Sequence, residues 1–198
     1  MIHIYIDEAG RWPLAGPVYV GLVIATKGWK SLVFKDYKDS KKLSEKQRES
    51  LFTQLQQSKI ARSYGKSTAR YIDTNGIVGG IRQAIISWVK KIISPLDRSQ
   101  IVLHIDGNTD FGLRKKFPWL IVHTYIKGDD RIAAISAASI IAKILRDHEM
   151  VHLDKKYSVY RFAQHKWYGT AMHRAHIARF GLSKEHRKSF CRNILLQK

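Results

Sequence analysis

An α/β domain, a mixed sheet flanked by helices, is the fold class that this sequence predicts, and three observations predict it. Strand-like segments come first, and helix and strand alternate after them. Val18–Ala25 is a continuous apolar run rich in β-branched residues, as a strand covered on both faces would be. No repeat, low-complexity tract or Pro/Gly-rich linker divides the 198 residues, a length that one core can serve without disulfides.

The elements follow in order. Ile2–Ile6 reads as a first strand and Val18–Ala25 as a second. Ser44-Glu-Lys-Gln47 is a capping box, so a helix is expected from Ser44 toward Gln57. A third strand fits Ile60 to Gly65. Gly76 and Gly79-Gly80 loosen the start of a helix that then runs to about Ile93. Ile101–Ile105 and Leu120–Ile126 read as buried strands. From Ile132 to about Leu153 the pattern is helical, and Ala133, Ala137, Ala138 and Ala142 allow close packing. The remainder, about 151–198, reads as a basic helical C-terminal extension of one domain spanning 1–198.

Charge narrows the function. Lys and Arg number 35 against 16 Asp and Glu, a formal balance of +19, and such a field attracts polyanions, nucleic acid above all. From Val151 onward there are 11 Lys or Arg against Asp154 and Glu185. Tyr157, Tyr160, Phe162, Trp167, Tyr168, Phe180 and Phe190 are interleaved with them, so bases or sugars can stack where phosphates are neutralised. The lone Cys191 fits a reducing compartment, and the chain opens on a strand rather than a leader. The longest apolar stretch, Ile132 to Ala142, is about half of what crosses a bilayer. A cytoplasmic monomer is expected, with no membrane partner.

In a chain this basic the placement of acids is informative. Asp7-Glu8 ends the first strand, Asp106 ends Ile101–Ile105, and Asp129-Asp130 follows Leu120–Ile126; each lies beside a glycine. Sites in α/β sheets form beyond the carboxyl ends of strands, where these acids can converge. Repelling carboxylates are stabilised by cations, and an all-oxygen set favours Mg²⁺ or Mn²⁺ over zinc. Two such ions can activate water and stabilise the leaving oxygen in phosphodiester cleavage. His148 with His152, and His173 with His176, are spaced to share a helix face. Without a third ligand they are read as surface or phosphate-contacting residues.

Asp7-Glu-Ala-Gly-Arg-Trp-Pro-Leu-Ala-Gly-Pro-Val18 resembles the opening signature of the bacterial ribonuclease HII family. So do Asp39-Ser-Lys-Lys-Leu-Ser44, Asp106-Gly107, Lys127-Gly-Asp129, and Ser136-Ala-Ala-Ser-Ile-Ile-Ala-Lys143 with Arg146-Asp147. His165-Lys-Trp-Tyr-Gly-Thr170 and His186-Arg-Lys-Ser-Phe190 complete the set in the family's order, over nearly the whole chain. The resemblance implies a ribonuclease H-like fold and a two-metal endonuclease requiring Mg²⁺ or Mn²⁺. It would act on RNA–DNA hybrids and on DNA duplexes containing ribonucleotides, cutting 5′ to the ribonucleotide and leaving a 3′-hydroxyl and a 5′-phosphate. It makes Asp7, Glu8, Asp106 and Asp129 the metal-binding carboxylates, with Asp147 left to a structural ion pair. It makes Gly10, Arg11 and Trp12 the loop that reads the ribose 2′-hydroxyl. Tyr168 would stack on the following deoxyribose, and Lys41, Lys42, Lys166 and Arg187 are candidate phosphate contacts.

Two departures from the family pattern stand out. Trp12 replaces the second glycine of a Gly-Arg-Gly loop, and Trp167 replaces the glycine before Tyr168. Both are expected against the substrate, where an indole would block backbone approach and glycine-only torsions would be strained. From this comes an alternative reading, a catalytically impaired hybrid-binding protein. A source that reads UGA as glycine, translated with UGA as tryptophan, would also produce this pair. The block Ile72-Asp-Thr-Asn-Gly-Ile77 has its asparagine displaced by one, and the stretch from Asp106 to Asp129 is longer than the family suggests. A type-3 ribonuclease H fits less well, because the Gly10–Trp12 loop and the Tyr168 block follow the type-2 pattern.

Overall fold

The computed structural model describes residues 1–25, 43–92 and 101–195. Lys41 and Lys42, and the expected helix end at Ile93, lie outside them. Five strands form one mixed sheet in the order β3-β2-β1-β4-β5, with β1 at Ile2–Ala9, β2 at Val18–Ala25, β3 at Ala61–Ser67, β4 at Ile101–Asp106 and β5 at Ile121–Tyr125. β1 pairs antiparallel with β2 and β2 antiparallel with β3, whereas β1–β4 and β4–β5 are parallel. The β-branched run of β2 is buried from Val18 to Val23, in agreement with a strand covered on both faces.

Alternation along the strands divides the core. Ile4, Ile6, Val18, Val20, Leu22, Leu103 and Ile105 face helix α2 (Ala69–Ile92), whose Ile72, Ile81, Ile85 and Val89 complete one apolar layer. On the other face, Val23 meets helix α1 (Glu45–Gln57) and helix α5 (Ala133–Lys156). The alanine stripe of α5 does what small residues allow. A Cβ on Gly21 of β2 would stand 2.0 Å from the carbonyl oxygen of Ala138, so helix and strand touch backbone to backbone.

α1 begins on the expected capping box, with the Gln47 amide donating to Ser44 Oγ at 3.2 Å and the Ser44 amide to Gln47 Oε1 at 2.8 Å. α2 begins earlier than the glycines suggest. Thr68 Oγ1 accepts from the amide of Tyr71, the chain is helical from Ala69, and Gly76 at φ +71 interrupts a helix already under way. Two single-turn helices went unpredicted, α3 (Leu113–Lys116) and α4 (Gly128–Arg131). Beyond α5 the extension is helical in short pieces: α6 (Phe162–His165), α7 (Ala171–Phe180) and α8 (Arg192–Leu195). It folds back on the domain, where Tyr160, Phe162 and Trp167 form a third apolar cluster with Ala15, Met150 and Leu153. Among the described residues no helix is long and apolar enough to cross a membrane.

Candidate active site

The parallel register of β1 and β4 pairs Ile6 with Ile105, so Asp7 and Asp106 emerge side by side at the strands' carboxyl ends. Asp129 arrives by a different route. Lys127 turns the chain at φ +55, and the amides of Gly128 and Asp129 both donate to Asp106 Oδ1, at 2.7 and 3.3 Å. Those two bonds dock the first turn of α4 onto the end of β4. Asp7, Asp106 and Asp129 then offer one carboxylate oxygen each within 4.8 Å of one another. Asp7 is 6% exposed and Asp129 3%.

Burial pushes the Asp7 carboxyl well above the usual carboxylate range, and the negative charges of Glu8 and Asp106 add to it. A bond with Ser139 and the Glu8 amide, 2.7 Å from Asp7 Oδ1, act the other way. Glu8, next along β1, stands outside this trio. Its Oε1 lies 3.3 Å from Arg11 Nη1, and burial raises its pKa against the pull of Arg11. An all-oxygen donor set whose own charges repel fits a hard divalent cation, which would remove both the repulsion and the desolvation penalty.

Asp7, Glu8 and Asp106 line a cleft of about 290 Å³. Gly10, Arg11, Trp12, Ser139, Lys143, Arg146 and Tyr168 also line it. Gly10 holds φ +95, and a Cβ there would collide with Arg146 Nε at 2.4 Å, so only glycine lets the buried guanidinium pass. Arg146 donates to the Lys166 carbonyl at 2.9 Å and lies 5.8 Å from the Tyr168 ring. Asp147 forms the expected structural ion pair, 3.0 Å from Lys143 Nζ.

Several sequence expectations need correction. Trp167 does not meet the substrate cleft: it is fully buried, its ring 3.3 Å from that of Phe162 between centroids. It does occupy a left-handed backbone, φ +71, where glycine is at ease. Trp12 is the reverse, 72% exposed at the cleft's mouth and free of positive φ, so no glycine-only torsion is strained there. With one of its two obstructions in the core, the impaired-binder reading loses half of its support. Arg187 is buried and spends its guanidinium on backbone carbonyls, so it is not presented to a phosphate. Lys166 is half-buried outside the cleft lining, with its Nζ 3.6 Å from Glu45 Oε1.

The histidines divide in the same way. His148 is at the surface, bonded to Glu49 at 2.8 Å, and His152 is exposed. His173 is buried, against expectation: its Nδ1 donates to the Tyr168 carbonyl, and its Nε2 lies 3.0 Å from Nε2 of His186. Ser139, Lys143 and Arg146 are cleft residues that the sequence offered only within a family-like block, with no role assigned to them. Their spacing of four and three along a predicted helix, aligned on one face, was the available signal.

Comparison with known proteins agrees with this architecture. The family model described as Ribonuclease HII matches residues 4–193. The chain is 40% identical over 187 residues to the ribonuclease HII of Shewanella piezotolerans, covering 93% of this chain and 86% of that protein. It is also 40% identical to the ribonuclease HII of Vibrio cholerae O395, over 93% of this chain and 84% of the relative. Among solved structures it is similar in fold to ribonuclease H2 from Pyrococcus horikoshii OT3, with a TM-score of 0.73, 24% identity, and 100% and 98% of the two chains covered. It is similar also to Bst-RNase HIII in complex with Mn²⁺, with a TM-score of 0.70, 17% identity, and 100% and 70% covered. The mixed five-stranded sheet flanked by helices is thus ribonuclease H-like.

Proposed function

The chain belongs to the ribonuclease HII family and is a type-2 ribonuclease H, and on that premise we propose that it hydrolyses the phosphodiester 5′ to ribonucleotides. The substrates are RNA–DNA hybrids and ribonucleotides embedded in duplex DNA. Water attacks phosphorus and the P–O3′ bond breaks, leaving a 3′-hydroxyl and a 5′-phosphate. The observation that carries this reading is the meeting of Asp7, Asp106 and Asp129 within 4.8 Å, beside a cleft that Asp7, Glu8 and Asp106 line. That cleft lies in a chain whose net charge of +19 attracts polyanions.

In this reading Asp7, Glu8, Asp106 and Asp129 hold two divalent cations, Mg²⁺ or Mn²⁺. When bound, these supply Lewis acidity to the attacking water and to the leaving oxygen. Ser139 orients the Asp7 carboxylate. Lys143 and Arg146 line the wall beyond the acids, and Tyr168, 45% exposed, offers a ring for stacking on a sugar. The loop of Gly10, Arg11 and Trp12 faces the sugar edge. The whole of 1–198 works as one catalytic domain, monomeric and cytoplasmic, with about 151–198 as its substrate-binding extension. Lys41 and Lys42 are assigned to phosphate contact by resemblance alone.

The test is cleavage of an end-labelled DNA duplex carrying one ribonucleotide, with Mg²⁺ and with Mn²⁺ separately. A single cut 5′ to the ribonucleotide is expected. Asp106→Asn, which weakens both the trio and the docking of α4, should lower the rate by more than about 100-fold, beyond what loss of an outer contact costs a metal site. A wild-type chain that binds the duplex but never cuts it would return the binding-protein reading.

A further inference from the structure

Arg187 is a buried cation without a carboxylate partner among the described residues. Its Nη2 donates to the carbonyl of Gly10 at 2.7 Å, its Nη1 to that of Arg11 at 3.1 Å, and its Nε to that of Gly16 at 3.0 Å. Burial, with the positive charge of Arg146, lowers its pKa to about 9, which still leaves the guanidinium charged at neutral pH. Its own backbone is anchored on both sides. The Arg187 amide donates to the Leu14 carbonyl and the Gly16 amide to the Glu185 carbonyl, each at 2.8 Å, with an isolated bridge between Ala15 and His186. Just beyond, the Asp73 carboxylate on α2 accepts from the amides of Lys188 and Ser189 at 2.8 and 2.9 Å, and from Ser189 Oγ at 2.6 Å.

A trans peptide is planar, so its C=O and N–H point in opposite directions. No cis peptide occurs among the described residues. Drawing the carbonyls of Gly10 and Arg11 toward the buried guanidinium therefore turns the amides of Arg11 and Trp12 away from it. Gly10, Arg11 and Trp12 line the cleft and Arg187 does not, so away from Arg187 is into the cleft. Among the described residues neither amide donates to another group. Two successive N–H groups facing one way form a concave donor pair for an oxygen acceptor.

We propose that Arg187 is a positioning residue for substrate recognition, which aims the amides of Arg11 and Trp12 at an oxygen of the nucleic-acid sugar–phosphate. Asp73 holds that arrangement from behind. The proposal rests on the reading of the cleft as the nuclease site and adds to it a residue that touches no substrate. Lysine cannot replace it, since a single ammonium on a flexible stem cannot span three carbonyls fixed in a fork.

The experiment compares wild type, Arg187→Lys and Asp73→Ala on the single-ribonucleotide duplex, with thermal melting and calorimetric Mn²⁺ titration beside the kinetics. Arg187→Lys is expected to lower kcat/KM about 10- to 100-fold, the scale of one or two lost hydrogen bonds, while the Mn²⁺ affinity of the carboxylates stays as in wild type. Asp73→Ala should shift kcat/KM in the same direction by a smaller factor. A purely structural role would instead lower activity and Mn²⁺ binding together, in step with the folded fraction. If Arg187→Lys does not fold, Asp73→Ala decides: folded, with normal Mn²⁺ affinity and unchanged kcat/KM, it overturns the proposal. A wild type that does not cut at all overturns the reading of the site, which is a different result.

Discussion

The loop around Trp12 and the turn around Trp167 carry the same unusual residue and use it in opposite ways. In the loop the indole is out in water, the backbone is relaxed, and Arg11 lies 5.5 Å from its ring. In the turn the indole is sealed against Phe162, the backbone is left-handed, and Nε1 finds no hydrogen-bond partner among the described residues. A centroid separation of 3.3 Å is also tighter than the ~4.5–7 Å at which aromatic pairs ordinarily sit. The difference teaches that a glycine can be required by backbone or by neighbours, and that the two requirements fail differently when a large residue arrives. At 167 the demand is torsional and the protein carries it inside its core. At 12 nothing in the fold objects, and any objection would have to come from the substrate.

The largest effect that would sharpen this contrast is on stability at 167. Trp167→Ala should cost about 3–5 kcal/mol by emptying a core site. Trp167→Gly should cost roughly 1 kcal/mol less than alanine, because glycine also removes the left-handed strain. Chemical denaturation of both variants checks this, and an alanine variant at least as stable as the glycine one would break the torsional account. Sequencing codons 12 and 167 bears on the same pair: UGG at both ends the recoding explanation, and UGA at both makes glycine the residue the cell inserts.

Acid comes next. Burial lowers the pKa of His173 to about 4 and that of His186 to about 3, from the ordinary 6.5. Folded-state values below the unfolded one mean that protons favour unfolding. The stability these neutral imidazoles contribute is whole above pH ~6.5 and is lost as pH falls toward 4, at roughly 1 kcal/mol per unit for each. His173 Nδ1 already donates to the Tyr168 carbonyl, so a proton must go to Nε2, 3.0 Å from Nε2 of His186. That contact beside Trp167 should loosen first, while among the described residues no imidazole clamps the Trp12 loop. Melting temperature followed from pH 7 to 4.5 checks the fall, and removing it with His186→Gln would confirm its source. The smallest effect belongs to Trp12→Gly, expected to move stability by no more than about 0.5 kcal/mol. A larger shift in the melt would mean the indole packs on the fold after all.

Much of this was legible in the chain. Ser44 and Gln47 announced α1, the alanines of α5 announced the close packing that falls at Gly21, and acids after three strands announced the meeting of Asp7, Asp106 and Asp129. Those signals are local, set by spacing and by what a strand or helix does to it. What escaped depends on which surfaces meet. The sequence around Arg187 looks like any basic tail, and only its pairing with residues 14–16 makes it an interior cation. Trp167 resembles a surface aromatic among lysines until Phe162 and Ala15 close over it. The single turn of α4 is too short to show a periodicity, yet its two amides bring Asp129 to Asp106.

The pairing of residues 14–16 with 185–187 also sets an order of events during synthesis. The loop that faces the cleft is synthesised some 170 positions before the residues that shape it. At ordinary elongation rates that interval is on the order of 10–30 s. During it a nascent chain can close β1 on β2 and later gain Asp106 and Asp129, but it lacks the carbonyl-gathering guanidinium until residue 187 follows. On the role proposed for Arg187, the loop gains its aim only when the segment around residues 185–187 docks on residues 14–16.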